Sequence, residues 1–147
     1  GVDAFLRLKD ENARPLIPNG STPLGMSMRS FRTWFAGCAG GTCPAGAGWA
    51  GAAAAQDPTW GFRRINLLVI TDGDETCSGA DPCGMAADLY SRYGVRTFVV
   101  SVGVEFSAGN KLYCMAANGG TGEPYSPRTR QEMTEALNDV WDRIRQP

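Results

Sequence analysis

The sequence predicts an α/β fold in which a mostly parallel sheet is flanked by helices. Two apolar runs rich in β-branched residues, 65–71 and 95–102, have the length and composition of buried strands. Amphipathic helical patterns follow them over residues 82–93 and 130–145. Strands that alternate with helices at this spacing are typical of βαβ units, whose consecutive strands run parallel.

The bulk composition is that of one globular domain, residues 1–147. Hydrophobic residues make up 43% of the chain and charged residues 20%, and the net charge is −1. This charge balance argues against nucleic acid as a partner, and the longest apolar run is too short for membrane insertion. The chain has no histidine, which excludes a Ser-His-Asp triad, a Cys-His protease and His-ligated zinc. Carboxylate, Lys, Tyr or Cys chemistry remains open to an enzyme. Because the chain also lacks a second clear carboxylate cluster, we expect a binding protein and not an enzyme. The alternative is a carboxylate-based hydrolase that uses Asp72, Asp74 or Glu75.

The N-terminal part predicts a strand, a helix and an insertion. Residues 4–8 form a possible strand within a leading segment that covers residues 1–18. In the helix that follows, Thr22 is the predicted N-cap and Pro23 the first helical residue. A Gly/Ala-rich insertion, residues 37–61, comes next. The predicted apolar face of the helix, at helical spacing, consists of Leu24, Met28, Phe31 and Phe35.

The C-terminal part predicts three helices with clear end signals. The helix over residues 82–93 has Asp81 as its N-cap and Gly94 as its stop. A short helix over residues 110–117 follows the second strand, and a final helix covers residues 130–145. The apolar stripe predicted for this final helix consists of Met133, Leu137, Val140, Trp141 and Ile144.

The cysteines form two close pairs and a single remaining residue. Cys38 and Cys43 lie in one Gly-rich loop, and Cys77 and Cys83 lie in another. Flexible backbone makes disulfide geometry reachable in such loops, so we predict the disulfides Cys38–Cys43 and Cys77–Cys83. Disulfides indicate an oxidising location, which means secretion, the cell surface or the periplasm. The alternative is a four-cysteine zinc site, although both spacings exceed the usual Cys-x-x-Cys. Cys114 is predicted to be a buried thiol.

The strongest functional signal is the acidic loop that follows the predicted strand at residues 65–71. Asp72, Asp74 and Glu75 follow its end within a few residues. In open α/β sheets, ligands and ions bind at the edge formed by the C-terminal ends of the strands. Carboxylate oxygens suit hard divalent cations. The loop therefore predicts a site for Mg²⁺ or Ca²⁺. The simpler interpretation is a turn at Asp72-Gly73 with two solvated charges beyond it.

Several linked motifs resemble the von Willebrand factor type A family. The main ones are residues 20–25, Gly-Ser-Thr-Pro-Leu-Gly, and residues 67–73, Leu-Leu-Val-Ile-Thr-Asp-Gly. Residues 94–103 and 114–120 also resemble later passages of the family, so that the resemblance covers about residues 19–146.

The resemblance implies a metal-ion-dependent adhesion site. In the members that bind metal, this site combines an Asp-x-Ser-x-Ser loop, a Thr at the start of a central helix and an Asp after a later strand. The Thr corresponds to Thr22 and the Asp to Asp72, with Asp74 and Glu75 as possible residues of the ligand loop. No Asp-x-Ser-x-Ser occurs in these residues. Two explanations stay open: a segment that precedes Gly1 supplies it, which we favour, or the chain is a degenerate member without metal.

The function implied by the resemblance is adhesion. A cation whose shell is incomplete would bind a carboxylate of a protein or cell-surface ligand, within a larger adhesin or a surface appendage such as a type IV pilus. Neighbouring domains of that larger chain or filament are the other expected partners. The alternative is a structural module without metal that takes part in the assembly of a surface filament or complex.

Overall fold

The structure, a computed structural model, describes most of the chain after the leading segment. The described residues are 22–74, 76–77, 79–103 and 109–146. The predicted strand at residues 4–8 therefore lies outside them. In chain order the elements are α1 (Leu24–Ala36), α2 (Gly48–Gln56), a 3₁₀ turn (Trp60–Phe62), β1 (Asn66–Thr71), α3 (Pro82–Tyr93), β2 (Arg96–Ser101), α4 (Lys111–Asn118) and α5 (Arg130–Arg145). None of the helices in these ranges is both long enough and apolar enough to cross a membrane.

The sheet is smaller than the sequence predicted, and the prediction of a mostly parallel sheet flanked by helices is wrong. β1 and β2 pair in parallel along their whole length and form a two-stranded sheet in the described part of the chain. Among the described residues, β2 makes one further contact of the strand type, the isolated bridge from Val100 to Tyr125. Because Pro124 and Pro127 flank Tyr125 and have no N–H to donate, this contact does not grow into a third strand.

One face of the sheet is covered by α1, α3 and α4, and the main core lies there. Three of the four residues in the predicted apolar face of α1 (Leu24, Met28 and Phe35) are buried, and Phe31 is partly buried against them. Full burial of a side chain of this size contributes roughly 1.5–3 kcal/mol. The other large apolar residues of this core are Leu89, Val95, Val99, Leu112 and Met115.

The opposite face of β1 is exposed, so the prediction that residues 65–71 form a buried strand is wrong for this face. The side chains of Leu68 and Ile70 are 40% and 55% exposed. The reason is that α5 lies against β2. The Arg143 guanidinium of α5 lies 5.1 Å from the centroid of the Phe98 ring of β2. Arg96 also donates from Nη2 to the C=O of Arg143 at 3.0 Å.

The helix ends agree with the local signals, except at α1. The Asp81 carboxylate caps α3 by accepting the N–H groups of Cys83 and Gly84, and Gly94 ends the helix at φ 66°. α5 has the predicted bounds, yet only Val140 of its five-residue apolar stripe is buried. α1 begins at Leu24, after Pro23, without a side-chain cap. The predicted N-cap role of Thr22 is therefore wrong.

One of the two predicted disulfides is confirmed. Cys38 and Cys43 are joined, with their Cα atoms 5.5 Å apart. The predicted Cys77–Cys83 bridge is wrong, because Cys83 pairs with Cys114 at a Cα–Cα distance of 5.4 Å. Cys114 is therefore not a buried thiol. The packing of α3 against α4 brings these two cysteines together across a sequence separation of 31 residues.

A buried arginine connects α1 to α3 and to the first disulfide loop. The Arg32 side chain is fully buried, and its Nε donates to Asp88 Oδ2 at 2.5 Å. Its terminal nitrogens donate to the C=O groups of Cys38 and Gly41, both at 2.6 Å. Burial alone would raise the pKa of the Asp88 carboxyl, but the hydrogen bonds from Arg32 and Arg92 hold that pKa below its ordinary value.

The close approach of α1 to the loop before α3 predicts the effect of Gly25→Ala. A Cβ at Gly25 would collide with the backbone oxygen of Ala80, which cannot move as freely as a side chain. We expect the free energy of unfolding to fall by about 1–2 kcal/mol, because the clash outweighs the better helix propensity of alanine. Urea denaturation measures this. Gly40→Ala, where an added Cβ meets nothing within 4 Å, should leave the stability unchanged; equal effects would contradict the contact.

The buried ion pair predicts the effect of Asp88→Asn. Removal of the carboxylate leaves the Arg32 charge uncompensated, so we expect a loss of about 3–5 kcal/mol in the free energy of unfolding. Because the pKa of Asp88 is lowered by folding, its contribution is present above the unfolded pKa of about 3.9 and is lost as the pH falls through the folded value. Between neutral and acidic pH, the free energy of unfolding of Asp88→Asn should therefore fall less steeply than that of the original chain. Denaturation curves measured over this pH range test this. The exposed Asp142→Asn should stay within about 0.5 kcal/mol of the original chain.

Candidate functional site

A cavity at the C-terminal end of β1 contains two of the residues that the resemblance selected. Thr22 and Asp72 both line it, and its volume is about 490 Å³. Because β1 and β2 are parallel and both end here, the cavity lies at the edge of the sheet where ligands bind in α/β proteins. The remaining lining residues are Pro23, Leu24, Ile70, Thr71 and Val102. The lining does not include Asp74, and Glu75 lies outside the described residues.

Thr22 is held against the acidic loop by reciprocal backbone contacts. Its N–H donates to the hydroxyl of Thr76 at 2.7 Å, and the N–H of Thr76 donates to the C=O of Thr22 at 3.2 Å. The Thr22 hydroxyl also lies close to the backbone of Gly73, since a Cβ added there would be 3.1 Å from Thr22 Oγ1. The segment before α1 is therefore joined to the loop after β1, and this brings the Thr22 hydroxyl to the cavity.

The position of Asp72 depends on a tight turn made by the residue before it. The Thr71 hydroxyl donates to the C=O of Gly73 at 2.7 Å and accepts the N–H of Gly73 at 3.2 Å. Thr71 is itself buried, and its C=O accepts the N–H of Val102 at 2.7 Å. The turn is thus fixed to both strands, while Asp72 at its tip is exposed to solvent.

The donor atoms of this cavity suit a hard divalent cation. Thr22 offers a hydroxyl oxygen and Asp72 a carboxylate oxygen, and Mg²⁺ and Ca²⁺ prefer oxygen ligands. In the part of the chain that the structure describes, no group of three or more His, Cys, Asp or Glu side chains is placed to hold a metal. Two protein oxygens fill only part of an octahedral shell, so water and an external ligand would occupy the other positions.

Two residues of the site were missed by reasoning from the sequence. Thr71 and Thr76 position Asp72 and Thr22 through their hydroxyl groups, but neither is a candidate ligand. A threonine at the end of a strand, two residues before a carbonyl and an N–H that it can bond, is a recognisable local signal for Thr71. No local signal exists for Thr76, because its partner is 54 residues away.

Comparisons with known proteins do not identify a family. No protein-family model matches this sequence. Searches among curated proteins and among solved structures give no match either. The resemblance to the von Willebrand factor type A family therefore stays a prediction that the motifs support.

The tight turn predicts the effect of Thr71→Val. The substitution keeps the shape of the side chain but removes both hydrogen bonds to Gly73, so we expect the free energy of unfolding to fall by about 1–2 kcal/mol. Faster amide hydrogen exchange at Gly73 should accompany this loss. Thr134→Val is the matched control, since it removes a single hydrogen bond from an exposed hydroxyl to Arg130 within α5. If Gly73 exchanges at the same rate in both variants, the turn does not depend on Thr71.

Proposed function

We propose that this chain is an extracellular binding module, related to the von Willebrand factor type A family, that recognises a protein or cell-surface ligand through a divalent cation. The observation that carries the proposal is the meeting of Thr22 and Asp72 in one cavity. These residues are far apart in the sequence, and the family resemblance selects both of them. Their oxygen atoms and the position at the C-terminal edge of the strands support a cation site there.

The disulfides support a location outside the cytoplasm. Cys38–Cys43 and Cys83–Cys114 are both bonded, and stable disulfides form in oxidising environments such as the periplasm, the cell surface and the extracellular space. A surface or secreted location is where an adhesion module would meet its ligand.

The residues of the site would act by positioning and charge, without breaking a covalent bond. Asp72 is exposed at the tip of its turn, so its carboxylate can bind a cation without a large desolvation cost. Because Thr22 adds only a neutral oxygen, a divalent cation bound to the Asp72 carboxylate would keep about half of its charge. A bound cation would then attract a carboxylate of the ligand. This role needs no nucleophile or general base, in keeping with a binding protein.

A second function, a structural module without metal, is favoured by the exposed face of β1. Leu68 and Ile70 are apolar and substantially exposed, and such a surface is typical of contacts between proteins or domains. A neighbouring domain of a larger chain, or the next subunit of a filament, would cover this face. This module would need neither Thr22 nor Asp72.

Thermal unfolding with added MgCl₂ or CaCl₂ tests the cation site. We expect the melting temperature to rise with cation concentration, because a ligand that binds only the folded chain stabilises it by about 2.7 kcal/mol at one hundred times its dissociation constant. Titration to about 10 mM reaches ten times the ~1 mM dissociation constants of weak extracellular calcium sites, where the same relation gives about 1.4 kcal/mol. Asp72→Asn and Thr22→Val should each reduce this rise.

The control variant is Asp142→Asn, which removes an equal charge from α5. It should respond to the cations as the original chain does. The proposal fails if the chain shows no rise with either cation, or if Asp72→Asn and Asp142→Asn respond equally. The first of these outcomes would favour the structural module.

A further inference from the structure

A cluster of tryptophans lies at the surface where α1 meets the insertion, and none of its members lines the cavity that contains Thr22 and Asp72. Trp34 and Trp49 stack with their ring centroids 5.0 Å apart and their planes at 17°. Trp49 and Trp60 also meet in a T-shaped contact, with their ring centroids 5.2 Å apart and their planes at 77°. Trp34 and Trp49 are nevertheless 54% and 40% exposed. Indole rings that contact each other but stay open to solvent form a rigid apolar surface that a ligand can cover.

A cavity of about 510 Å³ opens beside two of these rings. Its first wall is one face of α2, where residues at helical spacing line the cavity. The alanines in this wall are small, so Trp49 projects beyond them. The lining residues are Trp49, Ala52, Ala53 and Gln56 from α2, followed by Asp57, Trp60, Arg63 and Ile65.

The polar side of this cavity is held in place by its own hydrogen bonds. Asp57 accepts the N–H of Thr59 at 2.9 Å and its hydroxyl at 2.7 Å, and it pairs with Nε of Arg63. The hydrogen bonds from Thr59 and Arg63 lower the pKa of Asp57 to about 2. The carboxylate is therefore ionised at physiological pH, and the guanidinium has further N–H groups that can donate to a ligand.

This combination of groups suits a neutral sugar. A pyranose ring has an apolar face of C–H groups that packs on an indole, and its hydroxyl groups both donate and accept hydrogen bonds. The Asp57 carboxylate can accept hydrogen bonds from these hydroxyl groups, and the Arg63 guanidinium can donate to them. The side-chain amide of Gln56, at the end of α2, can do both. Because the charges of Asp57 and Arg63 compensate each other, the cavity offers little attraction to a free ion. A quaternary ammonium would need an uncompensated negative charge or an enclosing aromatic cage.

We propose that the cavity between α2 and the 3₁₀ turn binds a neutral oligosaccharide, with one sugar ring against Trp49 and Trp60 and its hydroxyls on Gln56, Asp57 and Arg63. This site is separate from the cation site and does not require it. The chain would then recognise glycans through the insertion and would not depend on Thr22 or Asp72 for this activity.

NMR of the indole N–H groups tests the site directly. The chain contains four tryptophans, and Trp141, which is 59% exposed on α5, is an internal control. The probes are cellotriose, maltotriose and triacetylchitotriose, each added to about 10 mM, because single glycan sites of this polar, open kind are expected to bind weakly. We expect at least one probe to shift Trp49 and Trp60 in a saturable manner and to leave Trp141 unchanged.

Variants distinguish specific sugar binding at this cavity from nonspecific binding to the protein surface. Arg63→Gln should weaken binding about tenfold, because it removes charged hydrogen-bond donors. Arg64→Gln, an exposed neighbour outside the cavity lining, is the matched control and should bind normally. Trp60→Ala should abolish the shift at Trp49, whereas Trp141→Ala should not. If Trp60→Ala does not fold, the comparison of Arg63→Gln with Arg64→Gln shows whether the cavity binds the sugar.

Three results would overturn the proposal: no shift with any of the probes, equal shifts at Trp141, or equal affinities for Arg63→Gln and Arg64→Gln. Saturable binding of tetramethylammonium without binding of the sugars would also overturn it in favour of a cation cage. Asp72→Asn should leave sugar binding intact, so that a failure of the cation site and a failure of the sugar site can be told apart.

Discussion

The arrangement of this protein depends on the burial of one charge, the guanidinium of Arg32. An unpaired ion in a protein interior costs several kcal/mol, so the buried guanidinium needs hydrogen-bond acceptors around it. Asp88 on α3 and the carbonyl groups of Cys38 and Gly41 supply them, and the Tyr93 ring lies 5.7 Å away. These contacts draw α1, α3 and the first disulfide loop to one point. They also determine where the insertion begins relative to the core.

The helix that carries Arg32 connects the two proposed sites. Thr22, just before α1, lines the cavity proposed to bind a cation, and Trp34 near the other end of α1 belongs to the tryptophan cluster. α1 has 13 residues, which at a rise of ~1.5 Å per residue separates its ends by about 20 Å. At this separation, the two proposed sites would be able to bind different chemical groups at the same time. A surface ligand with both acidic groups and neutral sugars would have the chemistry to engage both sites.

The small sheet explains why the proposed module has an apolar face left over. Strands in parallel sheets need helices on both sides to exclude water from both faces. Here only part of one sheet face is covered. Over β2, Arg143 lies on the Phe98 ring, whereas Leu68 and Ile70 on the same side of β1 stay exposed. The same strand contributes to the core through Leu67 and Val69 on its other face. β1 therefore both ends at the cavity lined by Thr22 and Asp72 and presents an exposed apolar surface.

The sequence by itself determined the features that depend on nearby residues. The bounds of α3 and α5, the cap at Asp81 and the Cys38–Cys43 bridge are all set within a few positions, where side chains and backbone meet whatever the rest of the chain does. The choice of Thr22 and Asp72 as neighbours came from the resemblance, and they do line one cavity.

Only the tertiary structure decided the features made by distant partners. These are the size of the sheet, the exposure of one face of β1, the Cys83–Cys114 bridge, the Thr22–Thr76 contact and the burial of Arg32. Each depends on which elements pack together in space. A pattern of residues along the chain records how apolar or polar an element is, but it does not record which other element covers it, and that choice follows from the packing of the whole chain.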